Sequence, residues 1–225
     1  MKRLALFDLD HTLLPIDSDT EWGRFLGRTG RLADPDAYNA RVDAFYAQYK
    51  AGTLDPEEHL RFVLSGFAQR PAAEIEGWRQ AYLDTVVKPA VHEPALALVR
   101  RHLQAGDLCA IVTATNSFIT TPIAALFGVT HLLGAEGEQV DGVYTGEPQG
   151  IITFQAGKLQ RIHAWLAELG HAIADFDEVW AYSDSRNDLP MLEMATHPVA
   201  TNPDAVLRQV ATERGWPIID LFNPS

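Results

Sequence analysis

Residues 4–7, Leu4-Ala5-Leu6-Phe7, form a short apolar run that ends on Asp8-Leu9-Asp10. A strand buried on both faces reads this way. From about residue 17 to 88 the period changes. Tyr38, Val42, Phe45, Tyr46 and Tyr49 recur at helical spacing. Asp55-Pro56-Glu57-Glu58 reads as an N-cap followed by the proline and acids of a first turn, and Pro71-Ala72-Ala73-Glu74 opens another helix in the same manner. This stretch predicts about four helices and no strand. Lys88-Pro89 and Glu93-Pro94 close it. Strands and helices then alternate: helix 94–104 stopping at Gly106, strand 108–113, helix 118–127 and a short strand 131–133. A hairpin over 139–144 turns at Asp141-Gly142, followed by helix 156–169, strand 178–182, a helix from 187, strand 198–200, helix 204–214 and strand 217–219.

Such alternation predicts an α/β fold with a parallel sheet covered on both faces. The expected division is residues 1–16 and 89–225 as an α/β core, with residues 17–88 as an all-helical insertion after the first strand. Ligands of such sheets bind at the carboxyl ends of strands, so the residues that follow the strands carry the chemistry.

Composition narrows the function. Lys and Arg total 18 against 30 Asp and Glu, a formal charge of −12. Nucleic-acid binding draws on a basic surplus, which is missing, and the same balance opposes docking to an anionic membrane. The single cysteine, Cys109, excludes an intramolecular disulfide and a cysteine-built zinc site, and its apolar neighbours predict a buried, inert thiol. Asp8 and Asp10 interrupt the first apolar stretch, so no signal peptide is expected, and no run reaches the roughly 18–20 apolar residues of a membrane span. The expected location is the cytoplasm.

Strand one delivers Asp8 and Asp10. The central strand delivers Thr113, Ala114, Thr115 and Asn116, and strand 178–182 delivers Ser183-Asp184-Ser185-Arg186-Asn187-Asp188. Carboxylates gathered from two strand ends repel unless a cation neutralises them, and an all-oxygen set without His or Cys suits Mg2+. Lys158, preceded by Gly157, is a candidate for adding positive charge to the same site. A carboxylate can take a phosphoryl group, a second carboxyl can protonate the leaving alkoxide and then activate water, and a hydroxyl, a backbone N–H and a Lys can hold the phosphoryl oxygens.

Phe7-Asp8-Leu9-Asp10-His11-Thr12-Leu13 resembles the first motif of the haloacid-dehalogenase-like phosphohydrolases. Ile111-Val112-Thr113 resembles their second motif, Gly157-Lys158 the third, and Ser183 to Asp188 the fourth, all in the family's order. The resemblance spans the chain and is nearest to the phosphoserine-phosphatase-like branch, which inserts a helical cap just after motif one. It implies a Rossmann-like core with a cap and a Mg2+-dependent phosphatase of small phosphorylated metabolites. Asp8 would be nucleophile and metal ligand. Asp10 would be general acid/base, with its carbonyl on the metal, and its presence favours phosphoryl transfer over dehalogenation. Asp184 would be the second carboxylate ligand, Asp188 would hold metal waters and Lys158, and Asn187 would support the site. Thr113, the N–H of Ala114 and Lys158 would bind phosphate. Two positions depart from the pattern. His11 stands where many members have glycine and reads as tolerated loop variation. Thr113-Ala114-Thr115 stands where the branch has Ser-Gly-Gly, which bears on the substrate rather than on phosphate binding.

Competing classes lack their marks. A receiver-type signalling domain is about half this length and has no use for the helical insertion, and no Gly-x-Gly-x-x-Gly follows strand one as a dinucleotide enzyme requires. A phosphotransferase remains open on the same motifs. For the substrate, Asp17 falls where the phosphoserine branch places the acid that receives an ammonium, while Arg61, the nearest candidate for receiving a carboxylate, lies about two residues, close to half a helical turn, from the expected position. This offset favours an amino-alcohol phosphate such as histidinol phosphate over phosphoserine. If Asp17 merely caps a helix, a lipid phosphate is the alternative.

Overall fold

In the computed structural model, which describes residues 1–222, strand β1 (Arg3–Phe7) lies at the centre of one seven-stranded sheet. On one side of it come β2 (Leu108–Asn116), β3 (His131–Val140) and β4 (Val143–Gln149). On the other come β5 (Glu178–Ser183), β6 (His197–Thr201) and β7 (Ile218–Ile219). All neighbours are parallel except β3 and β4. This is the expected Rossmann-like α/β architecture. The apolar run of β1 is explained by burial on both faces: Leu4 and Leu6 join one core with Ala110, Val112 and Ala181, and Ala5 and Phe7 join the other with Cys109, Ile111 and Tyr182. Burial pushes the Cys109 thiol up to about 12, with Asp107 adding to the effect, so the residue acts as filler.

Between β1 and the next strand the chain is helical throughout: α1 (Ser18–Arg28), α2 (Pro35–Ala51), α3 (Pro56–Ser65), α4 (Ala72–Tyr82), a π-helical turn (Leu83–Val87) and a short α5 (Lys88–Ala90). Asp17, Asp34 and Asp55 cap α1, α2 and α3 by accepting backbone N–H bonds in their first turns. The remaining helices are α6 (Glu93–Gln104), α7 (Ser117–Leu126), α8 (Ala156–Glu168), α9 (Leu189–Met194) and α10 (Ala205–Arg214). Helices α8, α9 and α10 cover one sheet face and α6 and α7 the other. On that second face the core continues without a break into the helical segment through Trp22, Phe25, Leu64, Phe67 and Tyr82. Among the described residues no helix is long and apolar enough to cross a membrane.

Two strands are longer than their apolar signal. β2 runs on to Asn116, and β3 continues from Leu133 to Val140 before the turn, where Asp141 and Gly142 both take positive φ as a type I′ turn requires. The outer half of this hairpin leaves the sheet and lies against α3. A Cβ on Gly137 would sit 2.6 Å from Leu64, Tyr144 meets Phe67 edge to face at 5.2 Å, and Gln69 N donates to Tyr144 O.

A proline inside α7 gives the fold one specific joint. Pro122 has no N–H for the carbonyl of Phe118, four residues back. Arg79 of α4 donates to that carbonyl at 2.8 Å and places its guanidinium 4.6 Å from the Phe118 ring centre. Arg79→Met should therefore destabilise the protein by about 2 kcal/mol, the combined cost of an orphaned carbonyl and a lost cation–π contact. Adding Pro122→Ala, which restores an internal donor, should recover about 1 kcal/mol of this in urea denaturation. Additivity of the two changes would refute the joint.

Candidate active site

β1, β2 and β5 end side by side, and their following residues meet at the carboxyl edge of the sheet. Asp8 stays in line with β1, its N–H donating to Tyr182 O at 2.9 Å. The chain then turns tightly: Leu13 and Leu14 N–H both donate to Leu9 O, and Asn202 Nδ2 donates to the carbonyls of His11 and Thr12. His11 has φ 59°, which accounts physically for a position that glycine would occupy without strain. Its Nε2 is buried without a partner.

Lys158 is buried, and its Nζ lies 2.7 Å from Asp8 Oδ1 and 2.7 Å from Asp188 Oδ2. It reaches them from the first turn of α8, where Gly157 is dictated by space: a Cβ there would lie 2.0 Å from Ile152 O. Desolvation alone would lower the Lys158 pKa, but Asp188 and Asp8 more than reverse this and hold it above its ordinary value. Ser183 donates to Asp188 Oδ2 at 2.7 Å. The Thr12 hydroxyl lies 3.1 Å from Asp8 Oδ2 and 3.0 Å from Asp184 Oδ1, and accepts from Asp184 N. Asp10 points the other way, its Oδ1 accepting from Ser18 N and its Oδ2 from Thr115 Oγ1. Thr113 is buried, and its hydroxyl accepts from Thr115 N. The pairing of β2 with β3 breaks between Val112 and Asn116, and the residues in the break line the cavity. Asn187 accepts from Gln155 Nε2 at 3.3 Å.

Of Asp8, Asp10, Asp184 and Asp188, only Asp8 and Asp188 are paired with the buried ammonium of Lys158. Desolvation, with the charge of Asp17, pushes Asp10 up to about 7. Desolvation also lifts Asp188 to about 6 against the pull of Lys158, and raises Asp184 well above its ordinary value with help from Asp8 and Asp188. Such a surplus of buried negative charge is what a divalent cation relieves. Among the described residues no three His, Cys, Asp or Glu side chains form a ready-made metal cage. A cation here would use Asp8, Asp184, a main-chain carbonyl and oxygens from water or ligand. That donor set suits a small hard ion that dehydrates reluctantly.

Above the cluster lies a cavity closed in by the helical segment. α2 supplies one wall with Phe45, Tyr46 and Tyr49, α3 adds His59, and Phe154 comes from the loop before α8. Asp17 lines it while spending Oδ1 on capping α1. Asp19 lines it too and was not singled out from the sequence. It is buried, and Asn116, whose Oδ1 caps α7, turns its Nδ2 to Asp19 Oδ1 at 3.0 Å. Desolvation, then the charges of Asp17 and Asp10, raise its pKa well above the ordinary value. Asp19 hides in the sequence because an acid in a first turn ordinarily serves only the helix dipole. Arg61 requires a correction. It faces out from α3, bonds Glu57 and Glu147, and does not line the cavity, so it is no substrate contact in this structure. Lys158 is the only Lys or Arg that does line it among the described residues.

The family model for haloacid dehalogenase-like hydrolases matches residues 5–193. A histidinol-phosphatase of Neisseria meningitidis serogroup C (strain 8013) is 38% identical over 221 residues, covering 98% of this chain and 99% of the relative. The phosphoserine phosphatase SerB1 of Mycobacterium tuberculosis (strain ATCC 25618 / H37Rv) is 33% identical over 222 residues, covering 96% of this chain and 70% of that protein. A crystal structure of a protein of unknown function from Bordetella pertussis Tohama I superposes with a TM-score of 0.94 at 49% identity, covering 99% and 100% of the two chains.

The ion-paired cluster predicts a stability effect. Lys158→Met leaves Asp8 and Asp188 buried without their cation and should cost about 3–5 kcal/mol in chemical denaturation at pH 8 without added metal. Adding Asp188→Asn should return part of this. A Lys158→Met protein as stable as the parent would show that the pairing contributes nothing.

Proposed function

Because the chain belongs to the haloacid dehalogenase-like hydrolase family and is a phosphatase of that family, we propose that it is a Mg2+-dependent phosphomonoesterase acting through an aspartyl-phosphate on Asp8, with an amino-alcohol phosphate, histidinol phosphate first among them, as its substrate. The carrying observation is the charge of the cavity: Asp17 and Asp19 line it, and Lys158 is its only Lys or Arg among the described residues. Carboxylates there receive an ammonium, while a substrate carboxylate would be buried without a partner at a cost of several kcal/mol. The aromatic wall of Phe45 and Tyr46, with His59, suits a planar ring. The name of the Neisseria relative supports this reading, and that of the Mycobacterium relative supports phosphoserine as the alternative. A lipid tail fits poorly beside the half-buried Asp17 and the buried Asp19.

In this reading residues 17–88 act as a cap over the core formed by 1–16 and 89–225 and restrict access to small esters. Lys158, the Thr113 hydroxyl and the Ala114 N–H hold the phosphoryl oxygens. Asp8 attacks phosphorus as the bond to the leaving oxygen breaks, and Asp10 gives that oxygen its proton. Asp10, now a carboxylate, takes a proton from water as the water attacks phosphorus and releases Asp8. Asp188 keeps Lys158 in place, and Asn187 supports the loop. Mg2+, held by Asp8, Asp184 and the Asp10 carbonyl, would offset charge on the phosphoryl group.

Asp8→Asn should lower kcat roughly a thousandfold or more with the fold intact by circular dichroism. Activity should vanish in EDTA and return with Mg2+, and full activity in chelated protein would remove the metal from the mechanism. Measured side by side, kcat/KM for histidinol phosphate should exceed that for phosphoserine by about 100-fold, and the reverse preference would overturn the substrate assignment.

A further inference from the structure

Arg186 stands inside the loop that carries Asp184 and Asp188, yet its side chain turns away from both. Its Nη2 donates to Lys50 O at 3.3 Å, a carbonyl in the last turn of α2. Its own N–H is held by Asp204 Oδ2 at 3.1 Å, so the residue is fixed at its base. On the helix side, α2 ends at Gly52 with φ 76°. A Cβ there would lie 2.6 Å from Arg186 Nη2 and 3.4 Å from Cζ, so the guanidinium fills the space a side chain would take. A cation against the unsatisfied carbonyls of a helix C-terminus is favourable in its own right.

The helix it touches is the least anchored wall of the cavity. α1, α3 and α4 all place buried residues in the core shared with the sheet, and α2 places none in either core. Its buried residues are Val42 and Phe45. It lies on α1 where a Cβ on Gly23 would be 2.8 Å from Tyr38, and it meets α3 through stacking of Tyr38 on Phe62 at 4.5 Å. Across the cavity its C-terminal half reaches the sheet side through Arg186 and through Tyr49, which faces Phe154 at 6.1 Å.

We propose that Arg186 is a positioning residue for the phosphatase reaction: it latches the C-terminal end of α2 to the loop bearing Asp184 and Asp188, and so sets Tyr46 against the alcohol portion of the substrate. The proposal rests on the phosphatase reading for its kinetic effect and on geometry alone for the latch. Arg186 touches no reacting atom. It acts through the helix, and binding of the alcohol portion depends on it more than turnover does.

Two readouts test it. In hydrogen exchange of the free protein, Arg186→Ala should speed exchange of α2 amides near residues 46–52 roughly three- to tenfold, with the β3–β4 hairpin unchanged. In kinetics, it should raise KM for histidinol phosphate roughly three- to tenfold with kcat altered less than about twofold. Arg186→Lys should recover part of both. Unchanged α2 exchange in Arg186→Ala would overturn the latch whatever the substrate proves to be. Faster α2 exchange with kcat lost equally on histidinol phosphate and p-nitrophenyl phosphate would overturn the positioning role, because Arg186 would then act on the loop itself. If histidinol phosphate is not turned over by the parent protein, the substrate assignment fails, and the KM comparison is made on phosphoserine with the same expectation.

Discussion

The structure is organised around the difficulty of holding four carboxylates together out of water at the end of a sheet. Asp8, Asp10, Asp184 and Asp188 are drawn from two strand ends, and one buried ammonium, Lys158, stands among them. Like charges at such separations are tolerated only with dense compensation. Thr12, Ser183, Thr115 and the N–H of Ser18 supply it as donors to carboxylate oxygens. Even the glycine before Lys158 follows from this requirement, since the approach of the Ile152 carbonyl leaves no room for a side chain where α8 begins. The surplus charge that remains makes the cluster receptive to a cation.

The cavity above the cluster continues the same logic with a different chemistry. Its lining adds two further acids, Asp17 and Asp19, and its α2 wall is aromatic. The β3–β4 hairpin steadies α3, on which His59 sits, and it does so by binding Arg61 through Glu147 on the outside of the helix. The residue that the phosphoserine comparison would bring inward is thereby occupied elsewhere.

How much of this was legible in the sequence differs by element. β1 announced itself because burial on both faces leaves no polar position among Leu4 to Phe7, and the candidate acids Asp8 and Asp10 were legible because they follow that strand directly. The cap of α3 was readable from Asp55, since capping is a local interaction. The outer half of β3 was readable only at its end, where Gln139 to Tyr144 predict a hairpin turning at Asp141-Gly142. Residues 136–140 carry little apolar signal because they pair with β4 and lean on α3 rather than enter the sheet's core. Asp19 escaped notice for a related reason: its burial depends on Asn116, almost a hundred residues away. The contact of Arg186 was not legible either, because only the fold brings the end of α2 to it.

The core that runs unbroken from the sheet into α1, α3 and α4 bears on how the molecule comes apart. Trp22, Phe67 and Phe118 touch one another across that boundary. Each such ring buries on the order of 150–250 Å² of surface, so separating the helices from the sheet would expose several hundred Å² at about 25 cal/mol per Å². Sheet and helices are therefore bound into one cooperative unit that melts in a single transition, with α2 as the local region that opens first. Proteolytic nicking under native conditions would begin in the linkers around α2, near residues 29–34 and 52–55, and leave the rest of the chain intact until global unfolding.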